Sequence, residues 1–240
     1  MSAPIERVPR KEIMDEVKKQ LTPVFSKYYP STDQYKLYQK YKQRFDSEDL
    51  RIANFLSNHL NFIKNFHRGI KSGINNNFEI QGDPIAQTLF LDAITYLLET
   101  EIIGTAYVDR VLLLLIGKGV DFHLEPDYEH RYTRHAKTLE DLQAPYLSLA
   151  VKQDFLEANR INLFSNMINR TLRNKIAHMD FTIENDCFYY KNRKGKKEKV
   201  DFSEKLRLLD EYYDALIRFF SVQESKTIRD GKPELKSSKK

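Results

Sequence analysis

Apolar residues recur along most of this chain every three or four positions, the period of an amphipathic helix. Residues 11–21 read as a short helix and residues 33–45 as a tyrosine-rich one. After a cap at Ser47, the period continues through Ile52, Phe55, Leu56, Leu60, Ile63 and Phe66. Gly69, Gly73 and the run Asn75-Asn76-Asn77 read as a loop. Asp83-Pro84 opens the next helix, with proline in the first turn, where a missing N–H does no harm. Its core face is Ile85, Leu89, Ala93, Ile94, Leu97 and Leu98; the helix bends near Gly104 and stops at Gly117 and Gly119.

Residues 120–145 are polar and irregular, with room for one short helix. Residues 152–177 form the next predicted helix. Short extended pieces follow at 181–183, 187–190 and 199–202, with Lys194-Gly195-Lys196 as a turn. Asp201 and Glu204 make a capping-box pair for a last helix, which buries Leu206, Leu209, Tyr213, Leu216, Ile217 and Phe220. No proline falls between Pro30 and Pro84 or between Pro145 and Pro233, so long helices meet no break there. The expected architecture is all-α: a helical bundle with a small β-hairpin insertion and extra N-terminal helices. One domain is expected over 11–224, with a flexible start at 1–10 and a disordered basic tail at 225–240.

The helix over 152–177 has two apolar sides. Phe164, Ile168, Leu172 and Ile176 follow at i+4, while Leu163 and Met167 lie roughly opposite, prolonged by Asn174 and His178. Two apolar sides call for two partners, one of which could be a second subunit. Between them runs a polar row, Asn159, Asn162, Asn166, Asn169 and Arg173, either a solvated face or a line of amides along RNA. Arg173 and His178 stand five residues apart, so in an unbroken helix they diverge by roughly 140° and sit about 7.5 Å apart along the axis. One helix does not aim both at one phosphate, whereas two copies about a two-fold axis can.

Composition narrows the class. Hydrophobic residues at 41% support a globular core. The single cysteine, Cys187, excludes an internal disulfide and fits a reducing cytoplasm. The N-terminus lacks the apolar run of a signal peptide, and the most apolar window, 102–116, is interrupted by Asp109 and Arg110. It is too short for a membrane span, so a cytoplasmic protein with no membrane partner is expected. The net charge of +5 says less than its placement. Lys191, Arg193, Lys194, Lys196, Lys197 and Lys199 crowd one predicted hairpin tip against Glu198, as a solvated run or as an RNA contact. His123, Glu125, Asp127, His130 and His135 could be metal ligands or a surface loop, but they show no ligand register. No metal and no cofactor are expected.

The hexapeptide Arg173-Asn174-Lys175-Ile176-Ala177-His178 reads R-N-x-x-x-H at the end of a helix. It resembles the HEPN superfamily, whose ribonuclease members carry R-x(4–6)-H, often with a polar residue after the arginine. The likeness is specific over the motif and extends in pattern over about 83–222. It implies metal-independent cleavage of single-stranded RNA at a dimer interface, with Arg173, Asn174 and His178 as catalytic residues. Asn166, Asn169 and Arg170, and Lys191, Arg193, Lys194, Lys196 and Lys197 on the hairpin, are the expected RNA contacts. RNA, a second copy and an antitoxin or regulatory partner are the partners it suggests, in defence or a toxin system. Asp180 stands where one toxin subgroup has tyrosine, which sets this chain apart from that subgroup. The alternative is a non-catalytic module that binds nucleotide, RNA or protein in the same groove.

Overall fold

The computed structural model describes residues 10–25, 32–72, 83–124, 134–144 and 147–230. In chain order it contains α1 (Arg10–Leu21), a 3-10 turn (Thr22–Phe25), α2 (Asp33–Ser72), α3 (Pro84–Glu99), a π-helical turn (Thr100–Gly104) and α4 (Thr105–Gly117). There follow β1 (Phe122–Leu124), β2 (Arg134–Ala136), α5 (Leu139–Leu142), α6 (Leu149–Ala158), α7 (Leu163–Met167) and α8 (Arg170–Ala177). The chain ends in β3 (Thr182–Glu184), β4 (Cys187–Lys191), β5 (Lys197–Val200) and α9 (Phe202–Asp230). Helix holds 74% of the described residues, so the protein is predominantly α. Among these residues no helix is long and apolar enough to cross a membrane.

The residues sort into two compact units. The first comprises Met1–Gln43, Tyr107–Phe164 and Glu211–Lys240; the second comprises Arg44–Ala106 and Ser165–Asp210.

In the first unit, Ile13, Val17 and Leu21 recur at i+4 along α1, and all three are fully buried. Phe25 sets its ring edge-on against Phe219 and Phe220, with centroids 5.6 and 5.5 Å away. Gln34 is buried and its Nε2 donates to the carbonyls of Val24 and Leu114, at 2.7 and 2.8 Å. Gly117 is required beside it, because a Cβ there would come within 2.6 Å of the Gln34 Cα. The interior also carries charge. Lys152 donates to Asp109 at 2.6 Å with both side chains buried, and the Arg110 guanidinium lies 4.9 Å from the Tyr107 ring. A buried ion pair contributes little net stability when whole but costs several kcal/mol, ~3–5, when one partner is removed.

In the second unit, an aromatic ladder seats the small sheet. Phe181 stacks on Phe188 at 4.6 Å, Phe188 meets Phe202 edge-on at 4.8 Å, and Phe202 lies 6.2 Å from Tyr96 of α3. The sheet order is β3-β4-β5, antiparallel throughout. Alternation along β4 places Phe188 and Tyr190 inward and Cys187, Tyr189 and Lys191 outward. Leu172 and Ile176 of α8 are fully buried; burying each contributes roughly 1.5–3 kcal/mol.

Several expectations are corrected. Ser47 caps nothing: it is exposed within the 40-residue α2, and Gly69 is helical too. Thr32 does the capping, its Oγ1 accepting from the Tyr35 N–H at 3.2 Å. The side chains of Leu56, Leu60, Ile63 and Phe66, and residues Gly73 and 75–77, lie outside the described residues. The buried face of α3 is the one with Asp92, Ala93, Thr95, Tyr96 and Glu99, while Ile85 and Leu98 are exposed. That face is too polar to stand out in the sequence. Ile217 of α9 is exposed as well. Residues 122–124 and 134–136 pair as a hairpin, β1-β2, where irregular chain was expected. The helix expected over 152–177 is three helices, α6, α7 and α8. The last helix runs to Asp230, past residue 225, because no breaker occurs before Gly231 and Pro233. Residues 1–9 and 231–240 lie outside the described residues.

Glu99 is 2% exposed, and burial, reinforced by Asp210, lifts its carboxyl from 4.5 to about 8. The folded chain therefore keeps a proton that the unfolded chain releases near 4.5. The stability from this group is present below that value and is lost as pH rises toward 8. Chemical denaturation at several pH values should show stability falling between pH 5 and 8, by at most about 1.4 kcal/mol per pH unit from this group. Glu99→Gln should remove that part of the slope, and an unchanged slope would contradict the assignment.

Candidate functional site at the end of helix α8

Helix α8 begins with a strong cap. The Asn169 backbone is extended (φ −74°, ψ 98°), and its side-chain oxygen accepts from the Leu172 N–H at 2.9 Å. The Asn169 N–H itself donates to the Tyr96 hydroxyl at 2.9 Å. Burial pushes the Tyr96 phenol up to about 12, so it stays a neutral hydroxyl at physiological pH. Asn169 is thus occupied as a cap, although the sequence reading places it in a line of RNA contacts. Asn159 caps the end of α6 and its Nδ2 donates to the Phe155 carbonyl at 2.9 Å. The continuous amide row therefore does not exist: it presupposed one helix. Asn166 remains exposed, and Arg170, in the first turn of α8, is half-buried.

The break between α6 and α7 has a definite cause. Arg160 adopts φ 65°, the Arg160 N–H bonds the Glu157 carbonyl at 2.8 Å, and the Ile161 N–H bonds the Leu156 carbonyl at 2.9 Å. This is a Schellman turn, with Leu156 and Ile161 both buried as its apolar closure. Arginine fills a position where glycine is usual, so neither glycine nor proline marks it in the sequence.

Arg173 is half-buried, and its Nε donates to a carboxylate oxygen of Glu101. Glu101 sits in the π-helical turn after α3. An extra residue in one helical turn is a device often found at functional positions. The sequence reading missed Glu101; the bend expected near Gly104 was its only trace. The bond to Glu101 engages Nε, so the two Nη nitrogens take no part in it. Glu101 fixes the direction of the guanidinium and leaves a fork able to meet an oxyanion.

The other end of α8 repeats the Schellman geometry. His178 is the C-cap (φ −94°, ψ 6°), Met179 follows at φ 54°, the Met179 N–H bonds the Ile176 carbonyl at 3.0 Å, and the Asp180 N–H bonds the Lys175 carbonyl at 2.8 Å. The closing contact here is an ion pair between Lys175 and Asp180, which holds the Asp180 carboxyl below its usual range. Asn174 and His178 leave the helix as exposed side chains. The helix is unbroken from Arg170 to Ala177, so the roughly 140° divergence of Arg173 from His178 stands. The His178 N–H donates to the Asn174 carbonyl at 3.0 Å, and among the described residues no side-chain hydrogen bond joins Arg173, Asn174 and His178.

The β3-β4 turn is Asn185-Asp186, both with positive φ (49° and 59°), the mirror-image turn that suits the twist of a hairpin. The β4-β5 tip is organised by Asn192, whose Oδ1 accepts from the N–H groups of Lys194 and Lys196 at 2.9 and 3.0 Å. Gly195 supplies the left-handed residue (φ 74°). Arg193, Lys194 and Lys196 stand exposed around that tip. Lys191 and Lys197 lie on the outer face of the sheet, and Lys197 donates to Glu184 at 2.5 Å. A cleft of about 340 Å³ opens along this edge, between Asp180 and the outer sheet residues. Elsewhere, His135 Nδ1 lies 2.7 Å from Asp121, while the His123 side chain and residues Glu125, Asp127 and His130 fall outside the described ones. Among the described residues no three His, Cys, Asp or Glu gather as a metal site would require.

Met179 is 59% exposed in a conformation disfavoured for side-chain-bearing residues. Met179→Gly should raise stability by about 0.5–1 kcal/mol. Urea denaturation checks this, and a loss of stability would show that the methionine side chain contributes more than its strained backbone costs.

No protein-family model, curated protein or solved structure matches this chain.

Proposed function

We propose that the end of α8 is half of a metal-independent endoribonuclease site of HEPN type, completed by a second copy of the chain. One observation carries the reading. An arginine anchored through Nε is followed directly by an exposed asparagine and, five residues on, by an exposed histidine at the end of a rigid, doubly capped helix.

RNA supplies its own nucleophile. The 2′-hydroxyl oxygen attacks phosphorus, its proton passes to a base, and the P–O5′ bond breaks as the departing oxygen takes a proton from an acid. The products are a 2′,3′-cyclic phosphate and a 5′-hydroxyl. A histidine side chain titrates in the range that suits either proton transfer. The Nη fork of Arg173 stabilises the charge on the phosphorane oxygens. Asn174 holds a ribose or phosphate oxygen. Because Arg173 and His178 diverge, the arginine of one subunit works with the histidine of the other.

The surface of α3 offers a place for that second copy. Phe90 and Leu98 are exposed on it, with Ile94 and Leu97 half-covered between them, and the stripe leads to Glu101. A predominantly helical HEPN-like bundle and a role in defence or as a toxin, with an antitoxin or regulatory partner, complete the proposal. The Arg173–Glu101 ion pair also favours a second reading, in which Arg173 is structural and the chain binds RNA, nucleotide or protein without cutting.

Purified protein incubated with single-stranded RNA in EDTA should generate new 5′-hydroxyl ends. His178→Ala should slow this by about 10²–10⁴-fold. Arg173→Lys, which keeps the charge but not the fork, should cost roughly 10²-fold. Both variants should melt like the parent chain. Stable binding without new ends would favour the second reading, and cleavage at the parental rate in the His178 variant would end the first.

A further inference from the structure

We infer that the outer face of the β3-β4-β5 sheet is a stacking platform for an unpaired RNA base, with Tyr189 as its ring and Lys191 and Lys197 holding the neighbouring phosphates. The inference rests on the nuclease reading for its ligand and adds where the strand lies and why it must be single.

Strand alternation isolates one aromatic ring on this face. Tyr189 is half-buried and points outward, while Phe188 and Tyr190 on either side point into the unit. In the register, Tyr189 lies between Thr182 and Lys199, and Lys191 lies opposite Lys197. Two lysines directly across an antiparallel pair repel each other, an arrangement that costs stability unless an anion relieves it. Lys197 answers part of the cost through Glu184, and its ammonium lies over one face of the Tyr189 ring, 4.4 Å from the centre, so a base stacks on that face as the lysine turns out to a phosphate. An outward tyrosine on a face that also carries lysines has the form that single-stranded nucleic acids bind, since every base offers a flat face and every link a phosphate.

The cleft along this face is lined by Asp180 and Thr182, by Tyr189 and Lys191, and by the Glu184–Lys197 pair. Asp180 follows His178 by two residues, and its carboxylate is offset by Lys175 of α8. The platform therefore begins where the motif ends. A strand with one base on Tyr189 can continue toward His178 without leaving the second unit. A duplex cannot present a base face to the ring, because its bases are already stacked on one another.

The test uses the full-length chain carrying His178→Ala, so that RNA stays intact, and a fluorescein-labelled 12-nucleotide single strand beside a duplex of equal length. Tyr189→Ala, and Tyr189→Ile, which keeps a strand-forming apolar side chain, should each weaken single-strand binding about tenfold. Tyr189→Phe should bind within about twofold of the parent. Duplex binding should not respond to any of the three. Lys191→Gln should weaken binding and flatten its dependence on salt. Unchanged affinity in both the Ala and Ile variants overturns the proposal. So does a Phe variant as weak as Ala, or an equal loss on the duplex. Binding is read on a chain that need not cut, so a platform failure is distinguishable from a failure of the nuclease reading. The latter is judged separately, by new 5′-hydroxyl ends with the unmodified chain.

Discussion

A helix advances 100° per residue, and α8 runs without a break from Arg170 to Ala177. That rotation separates Arg173 from His178 on the helix surface, and no side-chain rearrangement removes it. Both ends of the helix are pinned: by Asn169 at the start and by the Schellman turn through Met179 and Asp180 at the finish. Leu172 and Ile176 fix its rotation by burying the opposite side. The arginine is consequently held against Glu101 while the asparagine and histidine face solvent. In the nuclease reading proposed above, that divergence is met by bringing a second copy of the motif to the first.

Much of this frame was legible in the residue pattern. The first helix, the Asp83-Pro84 start, the bend near Gly104 and the glycine-bearing β4-β5 tip all follow from local rules that tertiary packing did not override. The Asp83 carboxylate does accept from the Ile85 N–H, at 2.9 Å. The failures share a physical origin. Arg160 takes a left-handed conformation that glycine would have advertised, and the Asn169 cap of α8 sits inside the apolar period, so α6, α7 and α8 read as one helix. The buried face of α3 carries Asp92, Thr95 and Glu99, and hydropathy points instead to its leucines and isoleucines. At the site, the sequence places Arg173, Asn174 and His178 together on one helix but marks Glu101 only through the bend expected near Gly104, because its role depends on a π turn and a long-range ion pair.

Charge is distributed unevenly in the second unit. Glu99 is buried close to Asp210 and retains its proton near neutral pH, while Glu101, two residues on, pairs with Arg173. The proton on Glu99 relieves its repulsion with Asp210. On the outer sheet face the balance is opposite, with Lys191 and Lys197 opposed across the strands. That is the face proposed above to take an anionic strand.

The central claim is that guanidinium and imidazole come from different subunits. Mixing two inactive proteins, one carrying Arg173→Ala and the other His178→Ala, tests it most directly. After subunit exchange, each mixed dimer would hold one intact arginine and one intact histidine on opposite chains. The account predicts that RNA cleavage reappears in the mixture, approaching half the parental rate per mixed dimer. Exchanged dimers that remain as inactive as either parent variant would contradict it.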